Sequence, residues 1–177
     1  MKPKLSNLLP YDEKGRKNRI VGCGVIARIY KDETDTEKVE ILLVQRSSED
    51  MYPNAWELPR GGCNVSDGGS KNCIVREIKE ETGLDVKPIH LLGEYRYLAK
   101  NKNSICKVYL CKMIDDKQKV KISFEHKSYQ WVRNLSMALL LLNHDQFKFA
   151  KMVLDDNHLT SYDIPDFNLA KNNFMFE

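Results

Sequence analysis

Residues 76–84 of this chain have the sequence Arg-Glu-Ile-Lys-Glu-Glu-Thr-Gly-Leu, and residues 59–62 before them are Pro-Arg-Gly-Gly. The segment contains three glutamates, Glu77, Glu80 and Glu81, at positions i, i+3 and i+4. Side chains with this spacing lie on one face of an α-helix. Because like charges on one helix face repel each other by ~0.2–0.5 kcal/mol per pair, we expect a cation between these carboxylates.

Carboxylate oxygens are hard ligands, which favour Mg²⁺ or Mn²⁺ over softer metals. Mg²⁺ in enzymes is usually held by one or two carboxylates together with phosphate oxygens of the substrate. The cluster therefore predicts a phosphate-containing substrate as well as a metal. The alternative is a solvated helix face on which Arg76 and Glu80 form an i, i+4 ion pair. A bare Glu-x-x-Glu-Glu pattern favours that alternative, but the residues around it favour the metal site.

The spacing of the fixed residues around this helix resembles the Nudix hydrolase family. The family's box is G-x5-E-x7-R-E-U-x-E-E-x-G-U, where U is a large aliphatic residue. Eight positions match it at the correct spacing: Gly62, Arg76, Glu77, Ile78, Glu80, Glu81, Gly83 and Leu84. The exception is Gly68, where the family has a glutamate that supports the helix or an extra ion. Asp67 lies one residue earlier, but we expect its shorter side chain to be a poor replacement.

The resemblance extends to both sides of the box and covers about residues 18–155. Four segments carry it beyond the box: 42–46, 56–59, 124–126 and 129–132. It implies a Nudix-type α/β/α sandwich with a mixed sheet. We expect one Nudix hydrolase domain over residues 1–177, with a C-terminal tail at 159–177 that covers the domain edge or contacts another subunit.

The resemblance also implies a set of metal ligands. They are the backbone carbonyl of Gly61 and the carboxylates of Glu77, Glu80, Glu81 and Glu125. Arg76 would orient these carboxylates. The general base would be a box glutamate, Glu77 or Glu80, or else Glu125 in the loop before the last strand. We favour Glu125 as a further ligand or base; its alternative is a solvated loop carboxylate beside Lys127.

The activity that the resemblance implies is metal-dependent hydrolysis of a diphosphate linkage in a nucleoside diphosphate derivative. The Trp-Glu-Leu-Pro lead-in favours a nucleoside triphosphate. Pro-Arg-Gly-Gly, with its basic Arg60, also allows a dinucleoside polyphosphate or a diphosphoinositol phosphate. We expect Arg60, Tyr52 and Trp56 to contact the substrate. The aromatic rings of Tyr52, Trp56 or Tyr97 could stack on a base; the alternative is that they lie in the core. An RNA 5′-end pyrophosphohydrolase and a non-catalytic binding module on the incomplete box remain open.

The composition favours a single soluble domain. Hydrophobic residues make up 42% of the chain, which is enough to fill one core. The formal net charge is only +3, so RNA is allowed as a partner but is not indicated. The longest apolar stretch, Met137–Leu142, is too short to cross a bilayer. We therefore expect a cytoplasmic protein with a small nucleotide-type substrate and no membrane partner, and leave its oligomeric state open.

The five cysteines, Cys23, Cys63, Cys73, Cys106 and Cys111, include no Cys-x-x-Cys pair. We therefore predict no disulfide framework and no zinc site, a pattern typical of a reducing compartment. Cys106 and Cys111 are an odd number of residues apart on one predicted strand. This spacing puts their side chains on opposite faces of the sheet.

Hydrophobic periodicity predicts the elements around the box. Strands are expected at Ile20–Tyr30, Val39–Arg46, Ile89–Leu98, Ser104–Met113 and Tyr129–Val132. The box helix is expected between Ser70 as N-cap and Gly83 just after its end, with further helices at Leu135–Leu142 and Gln146–Asp155. Gly22-Cys23-Gly24 loosely fits a dinucleotide-binding fingerprint, but no strand precedes it. Close packing of a strand against its neighbour explains these glycines better.

Overall fold

The computed structural model of the chain describes residues 18–99 and 102–155. Seven strands are present in this part of the chain: β1 Arg19–Lys31, β2 Glu37–Arg46, β3 Trp56–Glu57, β4 Arg60–Gly62, β5 Val86–Ala99, β6 Lys102–Met113 and β7 His126–Val132. The helices are α1 Ser70–Thr82, α2 Leu135–Leu141 and α3 His144–Leu154, and Val65–Asp67 forms one turn of 3₁₀ helix. Every predicted strand and helix is present. The short strands β3 and β4 are additions that periodicity does not reveal.

Strand β1 is the centre of a mixed sheet. It pairs in parallel with β6 and antiparallel with β2 and β4. The strand order is β3-β2-β1-β6-β5, with β4 also on β1 and β7 also on β2. Because β4 consists of residues 60–62, this pairing fixes the glycine loop of the box against the first half of β1. The mixed sheet confirms the predicted fold class.

The sheet lies between α1 on one face and α2 with α3 on the other. Ile74 and Ile78 of α1 are fully buried in a cluster with side chains of the sheet. Phe149 of α3 is buried in a second cluster with the opposite face. Cys106 belongs to the second cluster and Cys111 to the first, as their odd spacing predicts. These two hydrophobic layers make the α/β/α sandwich.

The Gly22-Cys23-Gly24 segment lies inside β1 and packs against α1. A Cβ on Gly22 would lie 3.1 Å from the Ile74 Cβ, and one on Gly24 would lie 2.7 Å from Cδ1 of Ile78. A larger side chain would push the helix away from the sheet. The explanation by close packing is confirmed, and the segment forms no dinucleotide-binding turn.

The start of α1 differs from the prediction. Its N-cap is Gly69, and Ser70 is the first helical residue. The Ser70 hydroxyl forms a hydrogen bond with the Tyr109 hydroxyl at 2.8 Å. The prediction of Ser70 as N-cap is wrong because this side chain contacts β6 instead of the helix end. The other end is as predicted: Gly83 has φ 71°, and its N–H donates to the Lys79 carbonyl.

Cys63 and Cys73 form a disulfide bond, with their Cα atoms 5.2 Å apart. The prediction that the cysteines form no disulfide is therefore wrong for this pair. The chain turns back through the 3₁₀ turn at Val65–Asp67, which brings the end of β4 beside the first turn of α1. Spacing alone does not show this reversal. Cys23, Cys106 and Cys111 are free and buried.

The predicted tail at 159–177 lies outside the described residues. Within the described ranges, no helix combines the length and the apolar character that crossing a membrane requires.

Candidate active site

The glycine loop of the box lies directly against α1. Gly61 pairs with Gly22 on β1, and the Sγ of Cys73 lies 3.8 Å from the Gly61 carbonyl oxygen. A Cβ on Gly61 would collide with the carboxylate of Glu77. Glycine is therefore required here for the backbone of β4 to approach this carboxylate. The structure brings two of the predicted metal ligands, Gly61 and Glu77, together.

Two of the box glutamates, Glu77 and Glu81, are turned towards the body of the protein. Glu81 is only 5% exposed, and its Oε2 accepts a hydrogen bond from the backbone N–H of Arg60 at 3.1 Å. Burial raises the pKa of Glu81 well above its usual value, and the charges of Glu57 and Glu77 raise it further. Burial also raises the pKa of Glu77, although Arg76 partly opposes this. Both carboxylates would be stabilised by a nearby cation.

Arg76 connects the acidic face of α1 to the loop before it. It contacts Glu77 at 2.8 Å and Glu80 at 3.1 Å, and its Nη2 donates to the Gly62 carbonyl at 3.0 Å. On the loop side, its Nε and Nη2 donate to both carboxylate oxygens of Asp67. The Glu80 carboxylate is 60% exposed and would have to leave Arg76 to bind an ion. These contacts agree with the predicted role of Arg76 in orienting the carboxylates.

Glu125 reaches the same region from the loop before β7. The Ser47 N–H donates to the Glu125 carbonyl at 2.9 Å, which fixes the loop, and the residue lines the same cleft as Glu77. Its charge contributes to the raised pKa values of Glu77 and Glu81. Lys127, the neighbour considered as its partner, donates instead to an asparagine side chain in the loop after β2. Glu125 thus faces the acidic cluster.

The oxygens of this region suit a hard divalent cation without already enclosing one. In residues 18–99 and 102–155, no three His, Cys, Asp or Glu side chains converge closely enough to coordinate an ion. Glu81 is nevertheless buried without a salt bridge to any residue of these ranges. A buried carboxylate without a cationic partner is unfavourable. A set of oxygen donors with one such carboxylate fits Mg²⁺ or Mn²⁺.

Another wall of the cleft is organised by Glu57, which is 3% exposed. Glu57 forms ion pairs with Arg46 and, at 2.8 Å, with Nε of Arg60. The Nε2 of His126 lies 3.8 Å from its Oε1. Burial would raise the pKa of Glu57, but His126 and the two arginines lower it overall. Arg46 also pairs with Asp50 at 2.6 Å, so both arginines are held in fixed positions.

The cleft between these walls has a volume of about 710 Å³. Among the described residues, three aromatic side chains line it: Tyr52, Tyr97 and Phe124. Tyr52 is 52% exposed and Phe124 is 91% exposed, so both rings are open to a ligand. The Tyr97 ring is covered by the Arg60 guanidinium, 5.1 Å from its centroid. Trp56 lies elsewhere, half-buried against the cluster under α2 and α3, so we assign it no contact with substrate.

The charged residues that line the cleft, among those described, are Arg19, Arg46, Arg60, Glu49, Asp50, Glu77 and Glu125. The four carboxylates outnumber the three arginines, so a polyphosphate would be repelled unless a cation were present. Arg19, Arg46 and Phe124 are not among the substrate contacts that the sequence predicts. Arg46 and Phe124 lie in two of the segments that carry the resemblance, but only the pairing of distant segments of the chain shows that they line one cleft with Arg19.

Comparison with known proteins identifies the family of this chain. A family model described as the NUDIX domain matches residues 23–153. The chain belongs to the Nudix hydrolase family. The asymmetrical bis(5′-nucleosyl)-tetraphosphatase of Mus musculus is 28% identical over 142 residues, which cover 77% of this chain and 91% of that protein.

Solved structures of Nudix proteins share the fold. The MutT protein from Methanosarcina mazei Go1 is 27% identical with a TM-score of 0.60, over 80% of this chain and 96% of that one. A binary complex of the C. elegans Ap4A hydrolase has a TM-score of 0.62 at 24% identity, over 77% of this chain and 98% of that one. The second similarity concerns the fold alone.

Membership of the Nudix hydrolase family confirms the resemblance and the prediction that the chain is an enzyme, a Nudix-type pyrophosphohydrolase. The matched residues include the box helix, the glycine loop and Glu125. Nudix hydrolases generally depend on divalent metals, which agrees with the oxygen donors around Gly61 and Glu81.

Proposed function

We propose that this chain hydrolyses a phosphoric anhydride bond in a nucleoside polyphosphate, with bis(5′-nucleosyl) tetraphosphates as the preferred substrates and Mg²⁺ or Mn²⁺ as cofactor. The observation that carries the proposal is a single cleft lined by carboxylates, arginines and two exposed aromatic rings. Carboxylates bind the metal, guanidinium groups bind phosphates and aromatic rings stack on bases. The similarity to the mouse tetraphosphatase over 91% of its length supports the substrate class.

In this proposal, the Gly61 carbonyl, Glu77 and Glu81 hold the ion, and Glu80 joins them after leaving its arginine partner. A bound Mg²⁺ would neutralise phosphoryl oxygens and lower the pKa of a coordinated water. Glu125 takes the proton of the attacking water, since it faces this cluster from a separate loop. General-base assistance of this kind typically contributes about 10²–10⁴ in rate.

The remaining residues bind and orient the substrate. Arg60 contacts the phosphate chain from a position fixed by Glu57. The exposed rings of Tyr52 and Phe124 hold a base, and stacking of a base on an aromatic side chain contributes about 1–3 kcal/mol. Arg76 keeps the box carboxylates in place through its contacts with Glu77 and the loop.

Nucleoside triphosphates are the second candidate substrates. The Trp-Glu-Leu-Pro segment at residues 56–59, which precedes the box, favours them. Both classes contain phosphoric anhydride bonds, but they differ in the number of phosphates and in the second nucleoside, so a direct comparison of rates separates them.

The proposal is tested by incubating the full chain with Mg²⁺ or Mn²⁺ and a substrate panel. The panel contains diadenosine tetraphosphate, nucleoside triphosphates, ADP-ribose, a diphosphoinositol phosphate and RNA with a 5′-triphosphate. We expect kcat/KM to be highest for diadenosine tetraphosphate, with a nucleoside triphosphate and a nucleoside monophosphate as products. A higher kcat/KM for another class would show that the proposed substrate preference is wrong. No turnover on any compound would contradict the proposal as a whole.

Variants of the glutamates connect this activity to the site. Glu77→Gln and Glu81→Gln should lose activity, and Glu125→Gln should lower kcat by about 10²–10⁴. Glu94, exposed on β5 and outside the cleft, provides a matched control, since Glu94→Gln should keep the rate of the unmodified chain. Full activity of Glu81→Gln would show that the metal assignment is wrong.

A further inference from the structure

Arg19 is the first residue of β1, and it lines the cleft beside the glycine loop. Its guanidinium lies against Gly62: a Cβ on Gly62 would collide with Nη2 and would be 3.0 Å from Nε and Cζ. The adjacent pairing of Val21 with Gly62 holds the two strands in this register. Arg19 therefore reaches the cleft one residue away from Gly61, the proposed backbone ligand.

The three arginines of the cleft differ in how far their charges are compensated. Arg60 is paired with the buried Glu57, and Arg46 with both Glu57 and Asp50. Two carboxylates thus balance these two guanidinium groups. Arg19 forms no salt bridge with any residue in ranges 18–99 and 102–155. Among the described residues of the cleft, Arg19 is therefore the guanidinium whose charge is left for a ligand.

The position of Arg19 suits a phosphate that is not the one being attacked. A polyphosphate chain with one phosphoryl group at Gly61 and Glu77 has further phosphates on either side of it. Arg19 stands beside Gly62, the next residue along the loop. A planar guanidinium binds a phosphate through two parallel N–H···O bonds, and such a contact requires no rearrangement of an existing ion pair.

We propose that Arg19 binds a non-reacting phosphate next to the attacked one and thereby sets the preference of the enzyme for longer polyphosphate chains. The inference rests on the proposed function, whose substrate class it narrows. Arg19 contributes binding energy away from the reacting bond. Its loss should therefore raise KM more than it lowers kcat.

The test compares Arg19→Ala and Arg19→Lys with the unmodified chain on substrates that contain two, three, four and five phosphates. Hydrogen bonds to charged groups support an expected loss of about 10- to 100-fold in kcat/KM for the tetraphosphate. The loss should be smallest for the diphosphate, because its second phosphate is the leaving group and no third, non-reacting phosphate remains for Arg19. Arg19→Lys should recover part of the loss, because an ammonium group keeps the charge without the two-point geometry.

Arg96→Ala is the matched control, since Arg96 is an exposed arginine on β5 that does not line the cleft. It should show no dependence on chain length beyond that of the unmodified chain. An equal loss for Arg19→Ala on all chain lengths would overturn the proposal, as would no loss at all. Thermal melting of each variant separates these outcomes from unfolding.

A binding measurement keeps this inference distinct from the proposed function. Calorimetry with inorganic tripolyphosphate and Mg²⁺ requires no hydrolysis and no nucleoside. We expect the unmodified chain to bind tripolyphosphate and Arg19→Ala to bind it at least about tenfold more weakly. Equal affinities would overturn the role of Arg19 even if the enzyme is active. If Arg19→Ala binds tripolyphosphate more weakly and the unmodified chain is inactive on the substrate panel, the phosphate-binding role of Arg19 is supported and only the proposed function is contradicted.

Discussion

Asp67 and Arg76 form a two-point ion pair that joins the 3₁₀ turn to the box helix. The Oδ1 of Asp67 accepts from Nε of Arg76 at 2.9 Å, and its Oδ2 accepts from Nη2 at 3.0 Å. The same Nη2 donates to the Gly62 carbonyl. Gly68 stands where the family has a glutamate. Arg76 nevertheless has an acidic partner on this loop, Asp67. The sequence predicts that Asp67 is a poor replacement for the missing glutamate, but the structure places its carboxylate against Arg76.

The ion pair predicts that Asp67→Asn impairs the enzyme although Asp67 is not one of the proposed metal ligands. Substitutions of residues that orient ligands typically cost about 10- to 100-fold in metal affinity or activity. We expect a loss of this order, seen as a higher Mg²⁺ concentration for half-maximal rate. Asp85→Asn, which changes an exposed carboxylate paired with Lys79, should leave the Mg²⁺ dependence unchanged. An unaltered dependence for Asp67→Asn would show that Arg76 does not need this partner.

The same ion pair predicts a pH dependence. Hydrogen bonds from Arg76 lower the pKa of Asp67 from 3.8 to about 2. A carboxylate with a lowered pKa in the folded state contributes stability that is complete above the unfolded pKa and is lost as pH falls towards the folded one. The difference in Tm between the unmodified chain and Asp67→Asn should therefore be constant above about pH 5 and shrink below about pH 4. A difference that grows on acidification would contradict this assignment.

The glycines before the box helix give a third prediction, because Gly61 and Gly68 are required for different reasons. A Cβ on Gly61 would collide with the Glu77 carboxylate, whereas a Cβ on Gly68 would meet nothing within 4 Å. Gly68 has φ 69° instead, a conformation that costs other residues about 1 kcal/mol. Gly61→Ala should therefore abolish activity, and Gly68→Ala should lower Tm with activity retained. Rates under saturating Mg²⁺ and melting curves for both variants test this, and an active Gly61→Ala enzyme would contradict it.

Local patterns explain why most of the fold was predictable and part of the site was not. Alternating apolar residues in β1 and β2 and the spacing of Ile74 and Ile78 report burial, which is a local property of each element. The box likewise places Glu77 and Glu81 on one helix face. Phe124 lies in a segment that carries the resemblance, but that it lines the cleft together with Arg19 follows only from the pairing of distant segments. The same holds for the disulfide, which depends on a reversal of the chain between its two cysteines.

Phe124 gives a fourth prediction. Its ring is 91% exposed in the cleft, and base stacking on an aromatic side chain is worth about 1–3 kcal/mol. Phe124→Ala should raise KM for diadenosine tetraphosphate by about tenfold, because the base loses its stacking partner. Calorimetry should show unchanged affinity for inorganic tripolyphosphate, which has no base. Leu140, 81% exposed on α2, provides the control Leu140→Ala, and equal losses with and without a base would contradict stacking.

The disulfide gives the last prediction, which concerns stability. Cys63 and Cys73 are 10 residues apart, and closing a loop of this size stabilises a fold by about 2–3 kcal/mol. In a chain of this length, that difference corresponds to a fall in Tm of roughly 4–12 °C when the bond is reduced. The combined variant Cys63→Ser with Cys73→Ala should melt at this lower temperature and should not respond to reductant. The unmodified chain and the variant both keep the buried free thiols of Cys23 and Cys106. If reductant lowers the Tm of the two proteins equally, the fall in Tm does not come from the Cys63–Cys73 bond. Because the pairing of β4 with β1 and the Arg76 contact with Gly62 do not involve the disulfide, the variant should keep its glycine loop and most of its activity below its Tm.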